Sequence, residues 1–274
     1  MSEQIRSGHQ AGVPEVPDRN AGRRLRNLRR FNAVMALVHL VQGILMLVIS
    51  TDFSLPVTTA FLKLNPATQR LAPDVQTAVE LRIGPMVATF LFLSAAAHLL
   101  VAAPGIYGWY AHNLGRHVNY ARWIEYSFSA SLMMVVIALL VGIYDAMALL
   151  LIFALNATMI LFGWIMERHN QTTARTDWTA YWFGCLAGAV PWVAVGVHLF
   201  GSGGNGEGPP AFVYGIFGSI FVFFNSFSIN MVLQYRKVGR WRDYLYGERA
   251  YILLSLLAKS ALAWQVFGGT LRPV

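Results

Sequence analysis

The chain has 274 residues, 56% of them apolar and only 12% charged, with a formal net charge of +8 and a mean hydropathy of +0.49. A soluble domain carries about 25% charged residues, so the composition excludes an ordinary soluble domain and points to an integral membrane protein. The single cysteine, Cys185, excludes a disulfide framework.

Residues 1–30 hold seven arginines and no apolar core, so the start does not read as a signal peptide. They are rich in Gly, Pro, Asp, Glu and Gln, which predicts a disordered basic tail over 1–30 ahead of a membrane domain over 31–274. A helix needs ~20 apolar residues to cross the hydrocarbon core. Seven stretches qualify: 31–50, 82–103, 118–141, 145–166, 179–200, 211–234 and 248–270. The fold class predicted is all-α, a seven-transmembrane-helix bundle. The connector 51–81 is semi-apolar, and "VTTAFLKL" within it has strand-like residues, so order is expected there. Gly142-Ile143-Tyr144 and Gly201–Pro210 are short junctions, and Pro85 and Pro191 are placed in or near first turns, where proline is tolerated.

Arginine and lysine placement sets orientation. Fifteen fall on one side: the seven of the tail, then Arg116, Arg168, Arg175, Arg236, Lys237, Arg240, Arg242 and Arg249. Lys63, Arg70, Arg82 and Arg272 make four on the other. The amino terminus is therefore expected in the cytoplasm and the carboxyl terminus outside. A tail lying beside anionic lipid accounts for the basic charge, and no nucleic-acid partner is expected.

Inside the spans two charges stand out: Lys259 on the seventh and Glu125 on the third. Lysine at a bilayer centre costs roughly 2.5–3.5 kcal/mol on insertion scales, and neither charge is tolerable alone, so the two are expected to pair. At 1.5 Å per residue Glu125 is ~10 Å deep and Lys259 ~16 Å, a gap that a lysine side chain bridges. In "NYARWIEYSFSAS" Arg122, Glu125, Tyr126 and Ser129 share one helix face, which Asn119 extends. Ser255 is one turn from Lys259. His39 and His98 lie ~13 Å and ~8 Å from the cytoplasmic edge, level with Glu125. Asn156 faces an otherwise apolar segment. Plainer readings stand beside this one. The lysine snorkels, the ion pair is structural, Ser255 back-bonds to its own helix, or each histidine only joins two helices. Cys185 reads as inert packing. No zinc spacing, phosphate loop or serine–histidine–acid order stands out, so neither a metal site nor an enzyme is predicted.

A lysine on the seventh of seven helices facing a carboxylate on the third resembles a rhodopsin. A desolvated lysine is a Schiff-base former, and a nearby anion favours its cationic form. Within rhodopsins the resemblance is to the heliorhodopsins, over 31–271. It is carried by the inverted orientation, the long loop after the first helix, "RWIEYSFSAS" and "SLLAKSALAWQVFGGTL". The resemblance implies all-trans retinal on Lys259, Glu125 as counter-ion and Ser255 as a hydrogen-bond partner of the Schiff base. It places His39, His98, Asn119, Tyr126 and Ser129 in an inner polar network, and Asn156, Met159, Gly163 and Phe224 near the chromophore. It further implies a homodimer in the cell membrane, a slow photocycle, light sensing through an unidentified cytoplasmic partner, and no net ion pumping. The rivals are a light-driven or light-gated ion transporter and a pigment-free membrane module.

Overall fold

The computed structural model describes residues 21–201 and 208–272. The first twenty residues of the expected tail, and most of the Gly201–Pro210 junction, lie outside the described residues.

The first helix, α1, runs Ala21–Ile49. The expected tail is therefore helical over 21–30, ten residues before the predicted start. Hydropathy stops at the arginines, but arginine and leucine are good helix formers, and this stretch has partners. Leu28 is buried with Tyr110 and Leu114, Arg24 pairs with Asp243, and Arg29 Nε donates to the Ala102 carbonyl at 2.7 Å. Leu28, Asn32, Met35, His39, Gly43 and Met46 are all buried. Their spacing of three and four makes one inward stripe, which brings Asn32 and His39 inside. Leu37, Val41, Ile44 and Val48 are exposed on the opposite face, where lipid belongs.

The ordered connector is an antiparallel hairpin, β1 (Ser54–Asn65) with β2 (Arg70–Arg82), registered from Ser54 against Arg82 to Asn65 against Arg70. Asn65 Oδ1 shapes its tip by accepting from Ala67 N at 2.9 Å. Lys63 and Asp74 pair across the strands, and this hydrogen-bonded ammonium, helped by Gln76, holds the Asp74 carboxyl below its usual range. Thr58 N donates to the Tyr144 carbonyl at 2.8 Å, fastening the hairpin to one end of the bundle.

The remaining helices are α2 (Ile83–Ala102), α3 (Pro104–Gly115), α4 (Tyr120–Leu140), α5 (Ala146–His169), α6 (Thr179–Gly201), α7 (Ala211–Tyr235) and α8 (Tyr244–Val266). Seven are long and apolar enough to cross a membrane among the described residues; α3 is not one of them. The sequence gives no sign of it, because "PGIYGWYAHNLG" carries three glycines and a proline. The proline occupies the first turn, where it costs nothing, and Tyr110, Asn113 and Leu114 give the helix a buried face. Asn119 caps α4, its side chain accepting from Arg122 N at 3.1 Å, and Asp145 caps α5 by accepting from Ala148 N at 2.8 Å. Gly142 turns the chain between them with a φ of 90° that other residues resist. Pro191 sits in the middle of α6, not near its first turn; membrane helices tolerate this because neighbours re-satisfy the freed backbone groups. α8 starts at Tyr244, capped by Asp243, so its first turn is polar and hydropathy alone misses it.

α1 packs on α2, α2 on α4, α4 on α5, α5 on α6, and α7 on α8. α4 is the most enclosed span. Its residues Met133–Leu139 are all buried and form the centre of the main core, toward the hairpin end. The polar groups lie in the other half.

Candidate functional site

Lys259 is 3% exposed. Its Nζ donates to Ser255 Oγ at 2.8 Å and lies 3.2 Å from Glu125 Oε1, so the ion pair expected from the sequence forms between α8 and α4. The serine reaches the amine because it precedes it by four residues on one helix face. Nζ is also 4.9 Å from the centre of the Tyr126 ring, and the Tyr126 hydroxyl donates to the Tyr251 carbonyl at 2.8 Å. Ser129, one turn beyond Glu125, is fully buried. Glu125 Oε1 has one more partner, Ser94 Oγ on α2 at 2.6 Å, which sequence reasoning missed. The available signal was its spacing: Ser94 and His98 are four apart on one face of α2.

His98 Nδ1 lies 2.7 Å from Asn32 Oδ1. The Asn32 amide nitrogen already donates to the Leu28 carbonyl at 3.0 Å, so its oxygen is the acceptor and His98 Nδ1 the donor. His39 stacks on His98, ring centres 5.7 Å apart and planes within 10°. Both nitrogens of His39 are buried without a hydrogen-bond partner among the described residues. Buried polar atoms normally find partners. A small cavity of about 30 Å³ is walled by Asn32, His98, Asn119, Arg122, Glu125 and Tyr126, close to the space one water occupies in the liquid.

Asn119 shares that small cavity with Glu125 but makes its hydrogen bonds elsewhere. Its amide donates to Glu248 Oε2 at 2.7 Å and its backbone N–H to Glu167 Oε2 at 3.1 Å. Both acids pair with Arg122 and are buried, Glu167 at 3% and Glu248 at 0% exposure. Sequence reasoning placed these two glutamates at helix ends, where water is assumed. They are covered because α8 begins earlier than its apolar stretch and because the Tyr244 side chain closes over them, its hydroxyl 3.4 Å from Glu167 Oε1.

A cavity of about 490 Å³ lies between α4, α5, α6, α7 and α8, with Lys259 and Ser255 on its wall. Met159, Gly163 and Phe224 line it, and the rest of the wall is mostly aromatic and aliphatic. Asn156 does not line it; the residue is buried and donates to Ser131 Oγ at 3.1 Å. Two glycines keep the helices close around the space: a Cβ on Gly188 would strike Met159, and one on Gly163 would strike the Trp123 ring. Cys185, read from sequence as packing, is exposed on α6 and also edges the cavity. Ligand pockets run from about 300 to 1,000 Å³ and are mostly apolar with a few placed polar groups. An apolar cavity of this size with one primary amine on its wall, held by a carboxylate and a hydroxyl, fits a long hydrophobic aldehyde.

A sequence model of the heliorhodopsin family matches residues 28–271. Comparison with curated proteins returns no match. The family implies a retinal chromophore, which agrees with the amine and the cavity. With seven membrane-crossing helices and a match over nearly its whole length, the chain belongs to the heliorhodopsins, multi-pass microbial rhodopsins of the retinal-protein class.

Proposed function

We propose that the chain is a light-sensing receptor in which Lys259 holds all-trans retinal as a protonated Schiff base, with Glu125 as its counter-ion and no net ion pumping. The observation that carries this reading is the Lys259–Glu125 pair, 3.2 Å apart beside the apolar cavity. The bound chromophore supplies absorption of visible light and an isomerising polyene. The protein's own groups do the rest. Glu125 and Ser255 hold the proton at Nζ, Ser94 fixes the carboxylate, and the cavity offers the polyene a mostly apolar wall. Among the described residues, Glu125 is the carboxylate within reach of a proton leaving Nζ, with His98 and His39 beyond it. The test is colour. Protein expressed with all-trans retinal is expected to show a visible band, and its absence would overturn the reading in favour of a pigment-free module.

Orientation belongs to the same proposal. Fifteen cationic side chains against four argue for a cytoplasmic amino terminus and an external carboxyl terminus. In a Cys185→Ser background, a cysteine at Val274 is expected to react with an impermeant maleimide outside intact cells, and one at Ser2 only after lysis. Labelling of Ser2→Cys from outside would reverse the topology. A homodimer and a cytoplasmic signalling partner complete the reading.

The absence of pumping rests on the hairpin half of the bundle. From Glu125 the α4 sequence "YSFSASLMMVV" runs ~16 Å toward the hairpin without an acid or histidine and ends at the buried Val136. Beyond Lys259, α8 offers Ser260 and Gln265, the latter bonded to Ser219 at 3.0 Å. A proton released toward Glu125 then returns to Nζ. Illuminated, pigmented cells are expected to show no sustained pH change, with or without a protonophore, and no photocurrent that persists through illumination. Either signal would replace the sensor with the ion transporter.

A further inference from the structure

Trp123 and Tyr251 form part of the cavity wall. Trp123 precedes Tyr126 by one turn of α4, and Tyr251 precedes Lys259 by two turns of α8. The guanidinium of Arg122 lies behind both, its Cζ 4.4 Å from the Trp123 ring centre and 3.9 Å from that of Tyr251. Arg122 does not line the large cavity; it is fixed from the far side by Glu167 of α5 and Glu248 of α8. Those acids are fixed in turn. Glu167 Oε2 accepts from the Trp123 indole N–H at 2.6 Å and Glu248 Oε2 from the Asn119 amide at 2.7 Å. A planar fork gripped by two carboxylates has one orientation, and its central carbon lies over both rings. On the other side of Trp123 there is no slack, because Gly163 leaves room for the ring and for nothing larger.

We infer that Arg122, clamped by Glu167 and Glu248, is a positioning residue that sets where Trp123 and Tyr251 stand, and so shapes the retinal cavity and ties its wall to the ends of α5 and α8. It acts through the rings, without touching the chromophore. The inference rests on the retinal reading above.

A brace that only joined three helices would affect stability alone, so the test reads the wall. Glu167→Gln keeps the side chain's shape and removes one grip. Arg122→Met removes the fork and Arg122→Lys restores the charge without the fork. Gly163→Ala presses on Trp123 and leaves the charges alone. Three quantities are measured: the absorption maximum of the pigment, the rate of its bleaching by hydroxylamine in the dark, and the near-ultraviolet circular dichroism of the retinal-free protein. Expected are a displaced maximum and a several-fold faster bleaching in Glu167→Gln and Gly163→Ala, with an altered aromatic dichroism in both. Arg122→Lys is expected to fall between wild type and Arg122→Met. If the Arg122 variants do not fold, Glu167→Gln and Gly163→Ala carry the test. Variants that melt lower yet match wild type in maximum, bleaching and dichroism would reduce the cluster to a brace and overturn the inference. If wild type takes up no retinal, the retinal reading fails, and the dichroism of the retinal-free proteins decides whether the clamp sets the rings.

Discussion

Lys259→Ala is expected to abolish the visible band completely while the protein still folds. Only an amine inside the cavity can condense with an aldehyde held there. The other two lysines are far from it: Lys63 is on the hairpin, paired with Asp74, and Lys237 is in the exposed turn after α7. The complication is energetic. Lys259 and Glu125 are partners in a buried ion pair, and deleting one member of such a pair costs about 3–5 kcal/mol because the other charge is stranded. Loss of colour through misfolding would imitate loss of the attachment site. The double variant Lys259→Ala/Glu125→Gln separates the two. It leaves no charge behind, and the new amide keeps a carbonyl oxygen for the Ser94 hydroxyl that Glu125 accepts from. The measurement is a visible spectrum after adding all-trans retinal, alongside helical circular dichroism and a melting curve. A folded double variant without a band places the attachment at Lys259; a normal band in either variant would move it elsewhere.

The residues that the sequence exposes are those whose chemistry contrasts with their surroundings. Lys259 and Glu125 are visible because each is the one charge deep within its apolar span, and Ser255 is visible from Lys259 by helical spacing alone. Ser94 is not, because a serine in a membrane helix usually bonds its own backbone, and this one does that too, to the Phe90 carbonyl at 3.2 Å. The His98–Asn32 bond needs α1 and α2 to pack at one particular rotation, which periodicity suggests and only tertiary contact fixes.

Helix ends are where hydropathy fails in both directions. It halts α1 at the arginines, although Leu28 is wholly buried. It likewise opens α8 too late and leaves Glu248 apparently in water, although that residue is fully buried against Arg122. The same blind spot hides α3, whose glycines and proline argue against a helix while its buried Tyr110 and Leu114 supply the reason for one. Half of the hairpin is legible from the β-branched and aromatic residues of "VTTAFLKL". The pairing strand, "RLAPDVQTAVELR", contains a proline and several polar residues and takes its conformation from the first. The cavity is not readable from spacing, because its wall is assembled from five helices and its volume depends on what glycines such as Gly188 leave unfilled.

While its Schiff base is protonated, the Glu125→Gln pigment is expected to absorb at longer wavelength than wild type. An anion beside a cationic nitrogen stabilises the state in which positive charge sits on that nitrogen. Light shifts the charge away along the polyene, so the anion widens the gap between ground and excited states. Coulomb's law sets the scale: unit charges 3.2 Å apart attract by about 5 kcal/mol at an effective dielectric of about 20, which gives the order of magnitude of the fall in excitation energy. Part of the nitrogen's surroundings is unchanged, because Ser255 Oγ still accepts from it and Tyr126 still faces it. Both alternatives for the anion are distinguishable. Glu167 and Glu248 are committed to Arg122, so Glu248→Gln is expected to shift the maximum less than Glu125→Gln does, and through the wall of the cavity. The measurement is the spectrum of each variant across a pH series, read where its Schiff base is protonated. A Glu125→Gln pigment with the wild-type maximum would mean that another group neutralises the cation, and the small cavity beside His98 and Arg122 would then be where to look for it.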